Sequence, residues 1–299
     1  MQELLVVDEK DLATPTVCNL IARALGPNGL GAVAVRLAPN TLATYARRRE
    51  HVLRAARYVA RLPVARRDEA LRAQHFGTDL AARGFVCAIT DTLRFRGKCD
   101  SIQHDSTIYA EQQTPVSYDS SIELRQSDVA ALGEQLLDIA VRVADACTAA
   151  LQCGVEFGAL VRESGTAKAR IIHYGPTKSS DDTTRGMDTL LWQPWHADYG
   201  IFTVLTAPMF AVEIDSAEYH DIAPPLEDCP SRTSGLVLAT ASVGVVPVVI
   251  PTDCILVQVG ETASILSGGL LRASPHAVRR PCEGPSCVSC VGHEEGWPM

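Results

Sequence analysis

The sequence is poor in positive charge and in aromatic side chains. Its 299 residues include 27 Lys and Arg against 35 Asp and Glu, which gives a net charge of −8, and aromatic residues make up 5% of the chain. A surface with this excess of negative charge repels nucleic acids and anionic membranes. The composition therefore predicts neither a nucleic-acid partner nor a membrane partner.

The cysteine content does not fit a disulfide scaffold, and no segment has the pattern of a leader or a membrane span. Ten cysteines are too few for a disulfide scaffold, and the first ten residues contain acidic groups without a basic cluster. The uncharged stretch 233–252 is interrupted by Gly244 and Pro247, so it predicts two strands around the turn 242–244 instead of a span. We accordingly expect a cytoplasmic protein with reduced thiols.

Common nucleotide-binding and hydrolase motifs are missing. The chain contains no P-loop and no G-x-S-x-G sequence, which argues against the NTPases and hydrolases that use them. Gly29-Leu-Gly31 fits a relaxed dinucleotide fingerprint, but it precedes a predicted strand, whereas that fingerprint opens a helix. Dinucleotide binding is therefore not predicted.

The hydrophobic pattern changes near residue 161, where a helical first half gives way to short strands. Helical spacing and end signals predict helices over 11–25, 41–60 and 126–151. Short β-branched runs predict strands at 4–7, 32–37, 169–173, 201–206, 236–239, 245–250, 254–259 and 264–272. Short strands separated by turn residues are typical of a jelly-roll or a barrel, so the predicted fold class is α+β.

Two histidines and one aspartate form the strongest candidate site. His196 and Asp198 are two residues apart, and on a strand such side chains point to the same side. A second histidine, His276, would complete two imidazoles and one carboxylate, the ligand set of non-haem Fe(II) oxygenases. The alternative is that the histidines are ordinary strand residues, because an isolated H-x-D occurs by chance.

The sequence around these residues resembles a known family. Residues 196–205 read H-x-D-x-G-x-x-T-x-L, and residues 274–276 read S-P-H. These motifs resemble the isopenicillin N synthase-like branch of the 2-oxoglutarate/Fe(II)-dependent dioxygenases. The resemblance implies a double-stranded β-helix (jelly-roll) core over 166–281, a mostly helical N-terminal support region over 1–165 and a short Cys-rich tail over 282–299.

The resemblance also implies roles for individual residues. His196, Asp198 and His276 would be the iron ligands, and Tyr174 matches a tyrosine that reaches the co-substrate or the site wall. Members of the family usually carry Arg-x-Ser or Arg-x-Thr about ten residues after the distal histidine, where the arginine pairs with 2-oxoglutarate. Residues 282–293 contain no arginine. The remaining candidates for this anchor are Arg272, Arg279 and Arg280.

The implied function is oxidation of a small molecule with Fe(II), 2-oxoglutarate and O2, by hydroxylation or desaturation. Two alternatives remain open: an iron oxidase that takes electrons from its substrate or from ascorbate, and a non-catalytic jelly-roll that keeps the metal. Trp195 and Phe202 are expected in the pocket wall. The tail spacing C-x4-C-x2-C-x2-H is compatible with a zinc site or with a loose reduced segment, and it involves Cys282, Cys287, Cys290 and His293.

Overall fold

The computed structural model describes residues 3–73, 77–80, 86–93, 124–164, 167–174, 191–210, 234–240 and 244–280. A 3₁₀ turn at Glu9–Asp11 precedes helices α1 Pro15–Leu25, α2 Pro39–Arg61, α3 Val64–Ala73, α4 Gln126–Leu151, α5 Phe157–Glu163 and α6 Glu261–Leu266. The strands are β1 Leu5–Asp8, β2 Ala32–Arg36, β3 Gly77–Leu80, β4 Val86–Leu93, β5 Ala167–Tyr174, β6 Leu191–His196, β7 Phe202–Thr206, β8 Gly235–Thr240, β9 Gly244–Pro247, β10 Cys254–Val259 and β11 His276–Arg279.

These strands form three sheets. Sheet I has the order β1-β2-β10-β7, sheet II has the order β6-β11-β8-β9, and sheet III has the order β3-β4-β5. The β1–β2 pair is parallel, and the other pairs are antiparallel. Sheet I therefore combines strands from both sides of the boundary predicted near residue 165.

Sheet I is covered on both faces, because the side chains of its central strands alternate between two cores. Val33 and Val35 of β2 belong to a core shared with α1, α2 and α4. Ala32 and Ala34 alternate with these valines along β2, and they belong to a second core that includes Leu238 of sheet II. A strand buried on both faces is apolar throughout, and this explains the continuous hydrophobic runs at 32–35 and 254–257.

Local signals fix the helices that pack against sheet I. In α1 the side chain of Thr14 caps the N-terminus by accepting from the Val17 N–H, and Pro15 occupies the first turn. Cys18, Ile21 and Leu25 recur at helical spacing and are buried. Among the described residues, no helix is long and apolar enough to cross a membrane.

Most of the predicted elements are confirmed, and one is wrong. The three predicted helices correspond to α1, α2 and α4, and the stretch 233–252 contains the antiparallel strands β8 and β9. Residues 264–272 do not form the predicted strand, because α6 occupies Glu261–Leu266 and Gly268 and Gly269 follow with φ of 62° and 85°. Such left-handed backbone ends the helix and is incompatible with an extended strand. The strands β3, β4, β6 and β11 were not among the predicted strands.

Glu9 links β1, α2 and α4 through a buried carboxylate. It accepts hydrogen bonds from the N–H of Ala38 at 2.8 Å, the hydroxyl of Thr41 at 2.7 Å and the guanidinium of Arg142 at 2.8 Å. Burial alone would raise the pKa of Glu9, but these contacts outweigh it and hold the pKa below its usual value. The ionised form is therefore the one that stabilises the fold.

We expect Glu9→Gln to lower the free energy of unfolding at pH 7 by about 2 kcal/mol, because a charge-assisted network loses its carboxylate. Because the pKa of Glu9 is lower in the folded than in the unfolded protein, its ionised carboxylate stabilises the fold at any pH above the unfolded-state pKa. This stabilisation is lost as the pH falls through the folded-state pKa. Denaturant unfolding at a series of pH values should therefore show wild type and variant converging below about pH 4. Glu134→Gln, at an exposed position of α4, is the control. An equal difference at acidic and neutral pH would contradict the interpretation.

Candidate metal centre

His196 and His276 lie side by side on neighbouring strands of sheet II. His196 is the last residue of β6, His276 is the first residue of β11, and the antiparallel register pairs them directly. Directly opposed residues project to the same face of a sheet. The centroids of the two imidazole rings are accordingly 4.2 Å apart.

The turn after β6 carries Asp198, and the N-terminus of α6 holds this turn in place. The N–H of Glu261 donates to the carbonyl of Asp198 at 2.7 Å, and the N–H of Thr262 donates to the carbonyl of Gly200 at 3.2 Å. The Thr262 hydroxyl donates to the carbonyl of Tyr199 at 2.5 Å. N–H groups that a helix start leaves unpaired are satisfied in this way, and the Asp198 backbone is fixed beside the histidines.

Gly260 permits the close approach of this turn to α6. A Cβ atom at position 260 would overlap the carbonyl of Gly200 and lie 3.0 Å from the carbonyl oxygen of Asp198. We therefore expect Gly260→Ala to destabilise the fold by about 1–3 kcal/mol and to weaken metal binding, because the turn that carries Asp198 must move. Thermal unfolding and Mn(II) titration measure the two effects.

Gly200→Ala is the matched control in the same turn, since the nearest atom to its added Cβ is 3.9 Å away. We expect this variant to keep the stability and the metal affinity of the wild type. Equal behaviour of the two variants would show that the close approach at Gly260 does not position Asp198.

The ligating atoms of His196, Asp198 and His276 form one compact cluster. The Nε2 atom of His196 is 3.6 Å from Asp198 Oδ1, and the Nε2 atom of His276 is 3.7 Å from Asp198 Oδ2. Ligand atoms bonded at about 2.1 Å and at right angles to one ion are about 3 Å apart. The cluster therefore fits one metal ion after small side-chain adjustments, and it leaves other coordination positions for exogenous ligands.

The surroundings shift the pKa values of the three side chains differently. The adjacent Asp198 carboxylate raises the pKa of His196 against the opposing effect of burial. Burial lowers the pKa of His276, and the Asp198 charge opposes this shift only in part. Burial would raise the pKa of Asp198, but the adjacent His196 and the hydrogen bond from Thr203 lower it overall. At pH 7 Asp198 is thus ionised and His276 neutral, the forms that ligate a metal, whereas protons compete for His196.

A chain of hydrogen bonds leads from Tyr174 to His196. The Tyr174 hydroxyl donates to Gln193 Oε1 at 2.9 Å, and Gln193 Nε2 lies 3.0 Å from His196 Nε2. His196 Nδ1 lies 2.9 Å from the carbonyl oxygen of Pro194, so Nδ1 carries the proton and Nε2 accepts from Gln193. Burial raises the pKa of Tyr174 to about 12, which keeps the phenol a neutral donor. The amide of Gln193 thus occupies the lone pair with which His196 would bind a metal.

Removing this competing contact should strengthen metal binding. We expect Gln193→Leu to raise the affinity for Mn(II) by up to about tenfold, because a net hydrogen bond of about 1 kcal/mol need not be broken. Calorimetric titration measures the change, and Tyr174→Phe should show a smaller increase because only the group that holds Gln193 is lost. Weaker binding by Gln193→Leu would show that the amide supports the metal site.

The three candidate arginines are placed differently. Arg272 Nη2 donates to the carbonyl of Ala239 at 3.0 Å and is therefore already paired. β11 pairs with β8 in regular register from His276 to Arg279, so Arg279 projects from the face opposite His276. Arg280 lies one residue beyond the end of β11, where continued alternation would place it on the His276 face. Among the described residues, the Nε atom of Arg280 has no hydrogen-bond partner.

Phe202 does not line the cluster, and this prediction is wrong. Its ring packs edge-on against Phe157 of α5, with 6.4 Å between centroids, in the core beneath the helices. The next residue, Thr203, faces Asp198 instead, because successive residues of a strand alternate. Trp195 precedes His196 in β6, and its place in the pocket wall stays a prediction. The tail residues Cys282, Cys287, Cys290 and His293 lie outside the described residues.

Three residues of the site were not identified from the sequence. Gln193 contacts His196, Thr203 donates to Asp198 Oδ2 at 2.5 Å, and Gln258 contacts His276 Nδ1 at 2.6 Å. Gln193 sits in an ordinary strand sequence that carries no signal. Thr203 is the threonine of the H-x-D-x-G-x-x-T-x-L motif, but no role was assigned to it. Gln258 was detectable, because it is the single strongly polar residue in the apolar strand β10.

Searches with family models and with curated protein sequences give no match. Solved structures do match. A full-length Neurospora crassa protein, solved in complex with alpha-KG and 5-formyluracil, matches with a TM-score of 0.64 and 14% identity over 94% of this chain and 79% of its own. The Arabidopsis thaliana dioxygenase for auxin oxidation 1, in a 2-oxoglutarate complex, matches with a TM-score of 0.59 and 13% identity over 93% of this chain and 87% of its own.

A Caulobacter crescentus structure described as a 2OG-Fe(II) oxygenase family protein matches with a TM-score of 0.56 and 15% identity, over 94% of this chain and 81% of its own. Identities this low identify a shared fold and do not transfer an activity. The structural matches, together with the sheets and the packed helices, show that this chain has the fold of the 2OG-Fe(II) oxygenases.

Proposed function

We propose that this protein is an Fe(II)- and 2-oxoglutarate-dependent dioxygenase that hydroxylates or desaturates a small molecule. The observation that carries the proposal is the cluster of His196, Asp198 and His276, whose ligating atoms lie within 4.8 Å of one another. Two imidazoles and one carboxylate form the ligand set of non-haem Fe(II) oxygenases. The shared fold supports the proposal, since structures of that fold hold alpha-KG.

In this proposal His196 and His276 hold the metal through Nε2, and Asp198 holds it through a carboxylate oxygen. Bound Fe(II) would supply O2 activation and a binding position for the 2-oxo acid. The His276 side chain is 8% exposed, whereas those of Asp198 and His196 are 26% and 31% exposed. The co-substrate and O2 would therefore reach the metal from the side of Asp198 and His196.

Arg280 is our proposed anchor for the far carboxylate of 2-oxoglutarate. A guanidinium can bind a carboxylate through two parallel hydrogen bonds, which fixes both position and orientation. Arg280 directly follows β11, where continued alternation would place it on the face of His276, and its Nε has no partner among the described residues. Arg272 is already paired and Arg279 projects from the other face, which leaves Arg280 favoured among the three.

The proposed substrate is a small molecule, and a pair of stacked aromatic rings is connected to the candidate metal cluster. The rings of Tyr174 and Trp192 stack with centroids 5.0 Å apart, and the Tyr174 hydroxyl connects to His196 through Gln193. The Neurospora neighbour has been solved with 5-formyluracil, and the Arabidopsis neighbour is named for auxin oxidation. We extend only the class of small organic substrate to this chain, and we keep the isopenicillin N synthase-like branch as a proposal that rests on the H-x-D-x-G and S-P-H motifs.

Oxygen consumption by the Fe(II)-loaded full chain tests the proposal. The assay is run with and without 2-oxoglutarate and ascorbate, in the presence of pooled metabolites. We expect O2 uptake and succinate formation that require 2-oxoglutarate, with a metabolite that gains one oxygen atom or loses two hydrogens. Uptake without 2-oxoglutarate would instead identify an iron oxidase, and bound metal without any uptake would identify a non-catalytic jelly-roll.

A further inference from the structure

Gln258 is a buried amide in an otherwise apolar strand. The strand β10 reads Cys-Ile-Leu-Val-Gln-Val, all six residues are buried, and Gln258 is 0% exposed. Leu256 projects from β10 on the same side and belongs to the core between sheets I and II. Because burying an amide in such surroundings costs free energy unless it is hydrogen-bonded, the contact that Gln258 makes is significant.

That contact is with the metal-binding histidine of β11. The side-chain amide nitrogen of Gln258 is placed 2.6 Å from His276 Nδ1, and the carbonyl oxygen of Ser274 is 3.2 Å from the same atom. The other end of the amide, Oε1, has no partner among the described residues. Either orientation of the amide thus leaves one end unpaired, so the protonation of His276 Nδ1 decides which end faces it.

The Ser274 carbonyl and the metal site require the same protonation state. A carbonyl oxygen can only accept, so its position beside Nδ1 favours a proton on Nδ1. A proton on Nδ1 leaves the lone pair of His276 on Nε2, the atom that lies 3.7 Å from Asp198 Oδ2. Gln258 must then turn its oxygen towards Nδ1, because an amide N–H facing Nδ1 would favour the tautomer whose Nε2 cannot bind a metal.

We propose that Gln258 is a positioning residue whose amide oxygen accepts the Nδ1–H of His276 and so fixes the tautomer and ring orientation that bind the metal. This inference rests on the proposed function in one respect, the role of His276 as a metal ligand. Partners of this kind tune metal centres generally, and their loss weakens metal binding.

The backbone around Gln258 makes it a rigid support. In sheet I Gln258 pairs with Ala32 of β2 on one side and with Thr203 of β7 on the other. Thr203 donates to Asp198 Oδ2. Two directly paired residues of sheet I therefore hold two of the three ligands, Asp198 through Thr203 and His276 through Gln258. The positions of Asp198 and His276 thus depend on contacts with sheet I, whose strand β10 is buried along its whole length.

Three variants of the full chain separate positioning from simple packing. Gln258→Met keeps the length of the side chain without an acceptor, Gln258→Glu keeps an acceptor, and Leu256→Met is the matched control on the same side of β10. Mn(II) affinity is measured by calorimetry, and the tautomer of His276 is measured by ¹⁵N NMR of the imidazoles, assigned with His276→Ala.

We expect Gln258→Met to weaken Mn(II) binding about 10- to 100-fold and to give a mixture of His276 tautomers. Gln258→Glu and Leu256→Met should keep the Nδ1–H tautomer and at least the affinity of the wild type. Unchanged affinity and tautomer in Gln258→Met would overturn the inference while leaving the proposed function intact, even if the melting temperature changed. A wild-type protein that binds no Mn(II) or Fe(II) would overturn both.

Discussion

Asp198→Ala is expected to abolish stoichiometric Fe(II) binding and, with it, any 2-oxoglutarate-dependent O2 consumption. Asp198 supplies the carboxylate of the cluster, and its oxygens lie 3.6 and 3.7 Å from the two Nε2 atoms. Removing a residue that merely supports a ligand costs about 10- to 100-fold in affinity, so removing a ligand with its negative charge should cost more than about 100-fold. His276→Ala should have a similar effect.

The fold should survive these changes, because the removed carboxylate is partly exposed and leaves no large cavity. Anaerobic Fe(II) titration measures the loss, and circular dichroism with thermal unfolding monitors the structure. Asp253→Ala is the control, since this half-buried aspartate pairs with Arg36 at the opposite end of β10. A folded Asp198→Ala protein that still bound one Fe(II) tightly would show that the cluster is not the metal site.

Arg280→Ala is expected to weaken 2-oxoglutarate binding by about 30-fold or more. Truncating one partner of a buried charge pair costs about 2–5 kcal/mol, and each 1.4 kcal/mol is tenfold in affinity. Fe(II) affinity should stay unchanged, because Arg280 is not a ligand. The absorption band of the Fe(II)–2-oxoglutarate complex, followed during titration of the co-substrate, measures this change directly.

Matched variants of the neighbouring arginines sharpen the test. Arg272→Ala removes a guanidinium that is already bonded to the Ala239 carbonyl, and Arg279→Ala removes one on the opposite face of β11. We expect both to bind 2-oxoglutarate as the wild type does. Arg280→Lys should be intermediate, since an ammonium keeps the charge without the bidentate geometry. A large loss in Arg279→Ala with none in Arg280→Ala would contradict our assignment.

Elements with a strong local signal could be predicted from the sequence. The apolar spacing of α1 and α4 and the runs of β2 and β10 each reflect interactions between residues close in the chain. The segment 264–272 could not be predicted in this way. Its apolar residues resemble a strand, but α6 forms because the carbonyls of 198–200, about sixty residues earlier, accept from its first N–H groups.

The identity of the cluster residues followed from the sequence, because the H-x-D spacing keeps two ligating side chains two residues apart in the chain. The structure places Asp198 in the turn after β6 and not on the strand, as the alternation argument had assumed. The convergence of the cluster residues did not follow from the sequence, since His276 reaches His196 only through the pairing of β11 with β6. The contacts of Gln193, Thr203 and Gln258 with the ligands likewise depend on tertiary structure. Phe202 was assigned to the wrong face of β7, because the local sequence does not indicate which face the helices cover.

The sequence by itself thus determined which side chains can ligate a metal and which segments are helical or extended, because those properties depend on residue chemistry and on neighbours along the chain. The tertiary structure decided the geometry of the site: the register of β6 and β11, the hold of α6 on the Asp198 turn, and the buried contact between Gln258 and His276. Each of these joins residues distant in sequence, and only the packing of sheets I and II brings them within bonding distance.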